Sequence, residues 1–227
     1  MSFLPLLAAL AFVLSPLVSG SFGGFDPNAF PIPQDDPPVQ PAGWAFSIWG
    51  IIYLWLLVHG VFGAVRRGSD PAWAPMRLPL TVSLGIGAFW IPVANASPIW
   101  ASVMIWAMLA TAILAFLRTP AKDPLTARAP LGLYAGWLTA ASSVSLGLLA
   151  AGYGLTGPLV AAWGALALAV GLGLLVHLRR PSRAYPFAIG WAAAGISFQN
   201  MGLHPVLAVA AGLVALAALI PWFRRET

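Results

Sequence analysis

Cysteine is absent from the 227-residue sequence. Disulfides, thiolate chemistry, iron–sulfur clusters and zinc–cysteine sites are therefore excluded. Charge is scarce as well: charged residues make up 7% of the chain, against roughly 25% in a soluble domain. So little charge cannot cover a water-facing surface. Hydrophobic residues make up 60%, and lipid must be the solvent for most of them. The long apolar runs hold no Lys, Arg, Asp or Glu, so the buried charges that usually mark ion pathways and proton relays are missing. The single lysine, Lys122, lies between runs, which excludes a retinal Schiff base. The three histidines show no HxxxH or HxxE spacing and give no metal signal. His59 reads as a hydrogen-bonded packing residue. No phosphate loop, nucleophile elbow or carboxylate pair occurs, so enzyme chemistry has no positive support from motifs.

What is present is a series of apolar segments, at about residues 3–20, 44–65, 78–96, 99–117, 130–152, 157–178, 185–200 and 205–223. Most are long enough to cross a hydrocarbon core at 1.5 Å per residue; the seventh is short. The sequence predicts an all-α, polytopic transmembrane helix bundle of about eight helices. Every Lys and Arg falls in alternate connections: Arg66, Arg67 and Arg77; Arg118, Lys122 and Arg128; Arg179, Arg180 and Arg183; Arg224 and Arg225. The opposite connections hold none, and the long one carries Asp26, Asp35 and Asp36. By the positive-inside rule both termini are expected on the cytoplasmic side. A bacterial cytoplasmic (inner) membrane is the expected location. The net charge of +5 then belongs to membrane orientation, and nucleic acid is not an expected partner. Residues 1–20 have the alternative reading of a cleaved signal peptide ending near Ser19, Gly20 and Ser21. The missing basic n-region and the internal Pro5 and Pro16 argue against cleavage.

The connection at residues 21–43 is the one long loop. Its prolines and glycines rule out a continuous helix. It carries Phe22, Phe25 and Phe30, which either dip into the headgroup region or pack on helix ends, or else form part of a lid over a pocket. Aromatic residues are plentiful, with eleven tryptophans. Trp44, Trp100 and Trp222 fall at membrane interfaces, where an aromatic belt accounts for them. Trp49, Trp55, Trp90, Trp106, Trp137, Trp163 and Trp191 lie deeper, where they either pack the bundle or line a pocket for a flat apolar ligand. No internal repeat of the kind seen in many transporters is present.

Three patches carry a family resemblance. Pro38-Val-Gln-Pro41-Ala-Gly-Trp44-Ala-Phe46-Ser-Ile-Trp49-Gly-Ile-Ile-Tyr53 resembles the second-helix signature of the translocator protein (TspO, tryptophan-rich sensory protein) family. Trp90-Ile-Pro92 is similar to the Trp-x-Pro near the end of that family's third helix. Tyr134-Ala-Gly-Trp137-Leu-Thr-Ala-Ala141 is similar to the Tyr-x-x-Trp-x-x-x-Ala of its fifth. The departures are a Trp44-to-Trp49 gap one residue shorter than usual, Gly87 and about Ser145 at two positions where the family has asparagine, and extra helices. The motifs cover residues 1–153, expected to form a TspO-like five-helix bundle. Residues 154–227 are expected to add three transmembrane helices. The resemblance implies an aromatic-lined pocket for a tetrapyrrole such as protoporphyrin IX or haem, or for a sterol. Trp49 and Trp137 would flank the ligand, with Tyr53 one turn from Trp49. Trp44, Phe46 and Trp90 would close the outer end, beside the motif residues Pro92 and Tyr134. Trp49 and Trp137 are expected to differ in depth by roughly 10 Å. Light-dependent porphyrin breakdown is implied by the resemblance alone. Family members often dimerise, so a homodimer is an implied state.

The leading expectation is thus a membrane binding protein for a hydrophobic planar ligand, acting as sensor or carrier. A secondary transporter of a small neutral solute is the first rival, with Gln199, Asn200 and His204 as its polar group. A structural or partner-binding membrane subunit is the second.

Overall fold

The computed structural model describes residues 2–20 and 22–223. The Ser21 end of the cleavage reading and the basic pair Arg224 and Arg225 lie outside them, as does the side chain of Trp222. Among the described residues all regular structure is helical. In chain order the helices are α1 (Leu4–Ser19), α2 (Ile48–Val65), α3 (Ala74–Ala88), α4 (Trp90–Ala96), α5 (Pro98–Leu117), α6 (Ala129–Gly152), α7 (Pro158–Arg179), α8 (Ala184–Asn200), α9 (Pro205–Ala217) and α10 (Ile220–Phe223). Each of the eight expected segments is helical. Four spans, Gly43–Val65, Pro98–Leu117, Pro124–Gly152 and Pro158–Arg179, are long and apolar enough to cross a membrane, and the bent pair α3–α4 makes a fifth. Helices α1 and α9 are apolar but shorter.

The third segment was expected to be continuous. It bends by 42° between α3 and α4. Pro92 is the cause: it has no N–H for the Ala88 carbonyl four residues back, and its ring crowds that carbonyl. The break turns Trp90 inward, and its indole Nε1 donates to the Ala101 carbonyl at 2.8 Å.

Helix α6 is the centre of the bundle. Its span is 72% buried inside the protein, against 39–44% for the other three long spans, so it is enclosed by protein where they face lipid. Small residues make this possible. Gly132, Gly136 and Ala140 repeat every fourth position on α6 and meet α8, whose facing side carries Ala184, Ala188 and Ala192 at the same spacing, all buried. A Cβ on Gly136 would collide with the Tyr185 carbonyl oxygen. With lipid as solvent, close backbone approach and dispersion contacts replace the hydrophobic drive of a soluble core. Buried hydroxyls pair across helices: Tyr185 of α8 with Thr139 of α6 at 2.8 Å, and Tyr134 of α6 with Ser83 of α3 at 2.9 Å.

The basic connections gather at one end. Arg67 grips Asp123 with two hydrogen bonds of 2.9 Å, and Trp73 Nε1 donates to the same carboxylate at 3.0 Å. Lys122 pairs with Asp70. The Arg67 hydrogen bond holds the Asp123 carboxyl below its ordinary range, and the Lys122 contact does the same for Asp70. His59 Nδ1 meets the Thr126 carbonyl at 2.7 Å while its ring stacks on Trp73 at 5.1 Å, so it is a packing residue. Arg180 reaches across to the Thr119 carbonyl.

Gly136→Val tests the α6–α8 contact. Because the obstacle is backbone, overpacking should cost about 1–3 kcal/mol. The check is the thermal unfolding midpoint in detergent, which should fall for Gly136→Val and stay near wild type for Gly164→Val, where no neighbour lies within 4 Å.

Candidate ligand-binding site

Helix α2 does not begin at Trp44. Residues Gly43–Ser47 form a 3-10 turn and the α-helix starts at Ile48. This turn directs Trp44 and Phe46 differently. Trp44 is 42% exposed and packs edge-on against Trp191 at 5.1 Å, with Phe198 at 6.2 Å, away from the bundle centre. Phe46 points inward and meets Trp137 at 6.0 Å.

Trp49 follows and touches Trp137 edge to face, with ring centroids 6.1 Å apart at 82°. The expected depth difference of roughly 10 Å is not found. A 3-10 turn rises about 2.0 Å per residue, against 1.5 Å in an α-helix, so Gly43–Ser47 carries Trp49 deeper than a uniform helix would. Tyr53 stacks on Trp49 at 5.3 Å and 22°. Behind these rings sits Phe12 of α1, 5.6 Å from Trp49, 5.1 Å from Tyr53 and 6.0 Å from Tyr134.

Phe46, Trp49, Trp90 and Trp137 all line one cavity between α2, α4, α5 and α6. Tyr53 and Tyr134 form a layer behind it, Pro92 faces outward, and Trp44 belongs to the α8 surface. Four of the eight sequence-derived candidates therefore converge, and four do not reach the cavity. The polar groups at its wall are few. Gln40 and Ser145 are among them, and the Ser145 hydroxyl is already bonded to that of Ser102. The indole N–H of Trp137 is buried without an acceptor. The family asparagine position at Gly87 is closed, since a Cβ there would lie 2.7 Å from the Phe12 ring.

The 21–43 loop forms the outer wall. Phe22 sits on Trp90 at 4.7 Å and on Phe25 at 5.1 Å, and both phenylalanines face the cavity. With them in place about 60 Å³ remains open, room for about two water molecules at roughly 30 Å³ each. Small-molecule pockets are usually about 300–1,000 Å³.

Sequence reasoning missed what holds this loop. Phe30 is buried in the notch left by Gly152, where a Cβ would lie 2.5 Å from its ring, and the Ile32 amide donates to the Gly152 carbonyl at 2.9 Å. Val39 fills a second notch at Gly147. On α8, the Gly195 carbonyl accepts from the Ala42 amide at 3.1 Å, and buried Asn200 donates to the Pro38 carbonyl at 2.9 Å. Trp191 Nε1 donates to the Ala45 carbonyl at 2.8 Å. Helix α8 is thus a mount for the loop. The signal was visible as a glycine one turn from a polar residue at the outer end of an apolar helix, but its partner lies some 160 residues earlier.

This architecture, an α-helical bundle of apolar spans with an aromatic cavity under one structured loop, is that of an integral membrane protein. A family model described as TSPO-like protein matches residues 30–223, and the chain belongs to that family. The match runs beyond the motif-bearing residues 1–153 and takes in α7, α8 and α9. No curated protein and no solved structure matches the chain.

Asn200→Leu should loosen the loop without touching the cavity. Loss of the buried hydrogen bond is expected to cost about 1–3 kcal/mol. Hydrogen exchange should speed up at the Gln34 and Ala42 amides and remain unchanged in the centre of α6.

Proposed function

We propose that the protein binds a flat hydrophobic ligand of the tetrapyrrole class in the aromatic cavity, acting as sensor or carrier. The observation that carries this reading is the convergence of Phe46, Trp49, Trp90 and Trp137 on one apolar cavity. Rings set at right angles offer a macrocycle one face and several edges. The Trp137 N–H, a buried donor with no acceptor, is a group that a ligand heteroatom or carboxylate would satisfy.

A macrocycle is far larger than the open 60 Å³, so binding requires Phe22 and Phe25 to leave. They are replaceable: each meets the cavity through ring–ring contacts, which a ligand ring reproduces. The loop therefore works as a lid whose own side chains stand in for the ligand. Its attachments beyond residue 30, on Gly152, Gly195 and Asn200, hold the distal part while residues 22–26 swing. In this reading the helices after residue 153 form a lid mount rather than a separate functional unit. The basic connections face the cytoplasm and the lid faces the opposite side, in a bacterial cytoplasmic membrane.

Titration of the purified protein with protoporphyrin IX, followed by tryptophan fluorescence, is the test. Wild type should show saturable quenching at micromolar ligand. Trp49→Leu and Trp137→Leu should each weaken the midpoint by about 2- to 12-fold, the range of one aromatic pair. No saturation, or one midpoint for all three proteins, removes the tetrapyrrole assignment.

A further inference from the structure

At the opposite end of α6 from the aromatic cavity, a second cavity of about 640 Å³ lies between α7, α8, α9 and α10. Its body is apolar, walled by Val170, Leu174, Ile189 and Val214, and its mouth carries Arg128, His177 and Arg183. Its size falls within the range of pockets that enclose small ligands, about 300–1,000 Å³.

The charge at this mouth is uneven. Arg128 precedes α6, and its Nε is buried with no hydrogen-bond partner. Arg180 stands outside the cavity lining and donates to the Thr119 carbonyl. Arg180 is also close enough to Arg128 to feel it: its guanidinium holds its proton less firmly than usual, through burial first and the charge of Arg128 second. Outside the 21–43 loop, the described carboxylates are Asp70 and Asp123, and both are engaged by Arg67 and Lys122. None of them serves Arg128. Partly buried guanidinium groups beside an apolar wall are costly without an anion.

A free inorganic anion would satisfy Arg128 and leave the apolar body exposed to water. A neutral lipid chain would fill the body and leave Arg128 without an anion. We propose that this cavity binds an anionic amphiphile, with an acyl chain against Val170, Leu174 and Val214 and a phosphate or carboxylate headgroup on Arg128. The site is independent of the aromatic cavity and does not rest on the tetrapyrrole reading.

Native mass spectrometry of the full chain, released from an uncharged detergent with equal amounts of phosphatidylglycerol and phosphatidylcholine, measures the preference. Wild type should retain one phosphatidylglycerol over phosphatidylcholine. Arg128→Gln should reduce that retention about tenfold or more, as expected for a lost charge-assisted hydrogen bond. Arg128→Lys should keep much of it, which serves if the glutamine variant does not fold. Ala217→Trp, which puts an indole into the path of the acyl chain without altering charge, should also lose the lipid. Millimolar inorganic phosphate should not displace it. Equal retention of the two lipids by wild type overturns the proposal, as does wild-type retention by folded Arg128→Gln and Ala217→Trp. Displacement by phosphate overturns it too, because the acyl chain would then contribute nothing.

Discussion

The contact between α6 and α8 at Gly136 sets the geometry of everything around it. In lipid, apolar side chains gain little by leaving solvent, so helices associate where backbones can approach and where buried hydroxyls find partners. Gly132, Gly136 and Ala140 supply the first condition, and the Tyr185–Thr139 pair supplies the second. Once α8 lies against α6, Gly195 and Asn200 stand above the bundle at a height where they can receive the 21–43 loop. A bulkier α6 would push α8 outward and remove the support on which the lid depends.

The cavity and the lid are two consequences of that placement. Trp49, Trp137 and Phe46 meet because a 3-10 turn lowers α2 into the bundle, and Trp90 joins them because Pro92 breaks the third span. The lid then closes with aromatic rings rather than polar ones. On the proposed reading, closure and ligand binding compete for the same surfaces, and the closed form is the ligand-free one. A hydrophobic ligand must bring enough ring contact to outweigh that of Phe22 and Phe25.

The fold class was legible because charge scarcity and the alternation of Arg and Lys are properties of single residues. The tryptophan motif was legible because its spacing is local. The inward turn of Trp90 could be read in part from Pro92, since a proline inside an apolar run removes a helical hydrogen bond and crowds the turn before it, although Pro16 and Pro79 sit inside unbroken helices. The outward face of Trp44 could not, because it depends on whether residues 43–47 wind as α or 3-10. The role of Asn200 was hidden for another reason. Its partner, the Pro38 carbonyl, is a backbone atom in a segment with no periodic signal. The α8 helix was accordingly read as an addition, although its Ala184, Ala188 and Ala192 spacing matches the glycines of α6.

The central claim is that lid closure and ligand occupancy exclude one another, and a distance measurement addresses it most directly. The natural chain has no cysteine, so Gly23→Cys, inside the swinging segment, and Leu155→Cys, both at exposed positions, can carry spin labels at these two sites alone. Pulsed electron spin resonance then reports the separation of the lid tip from the α6–α7 hairpin. The account predicts one narrow distance without ligand and a longer, broader distribution on saturation with protoporphyrin IX. An unchanged narrow distance under saturating, quenching ligand would contradict it, because the ligand would then be bound with Phe22 and Phe25 still in place.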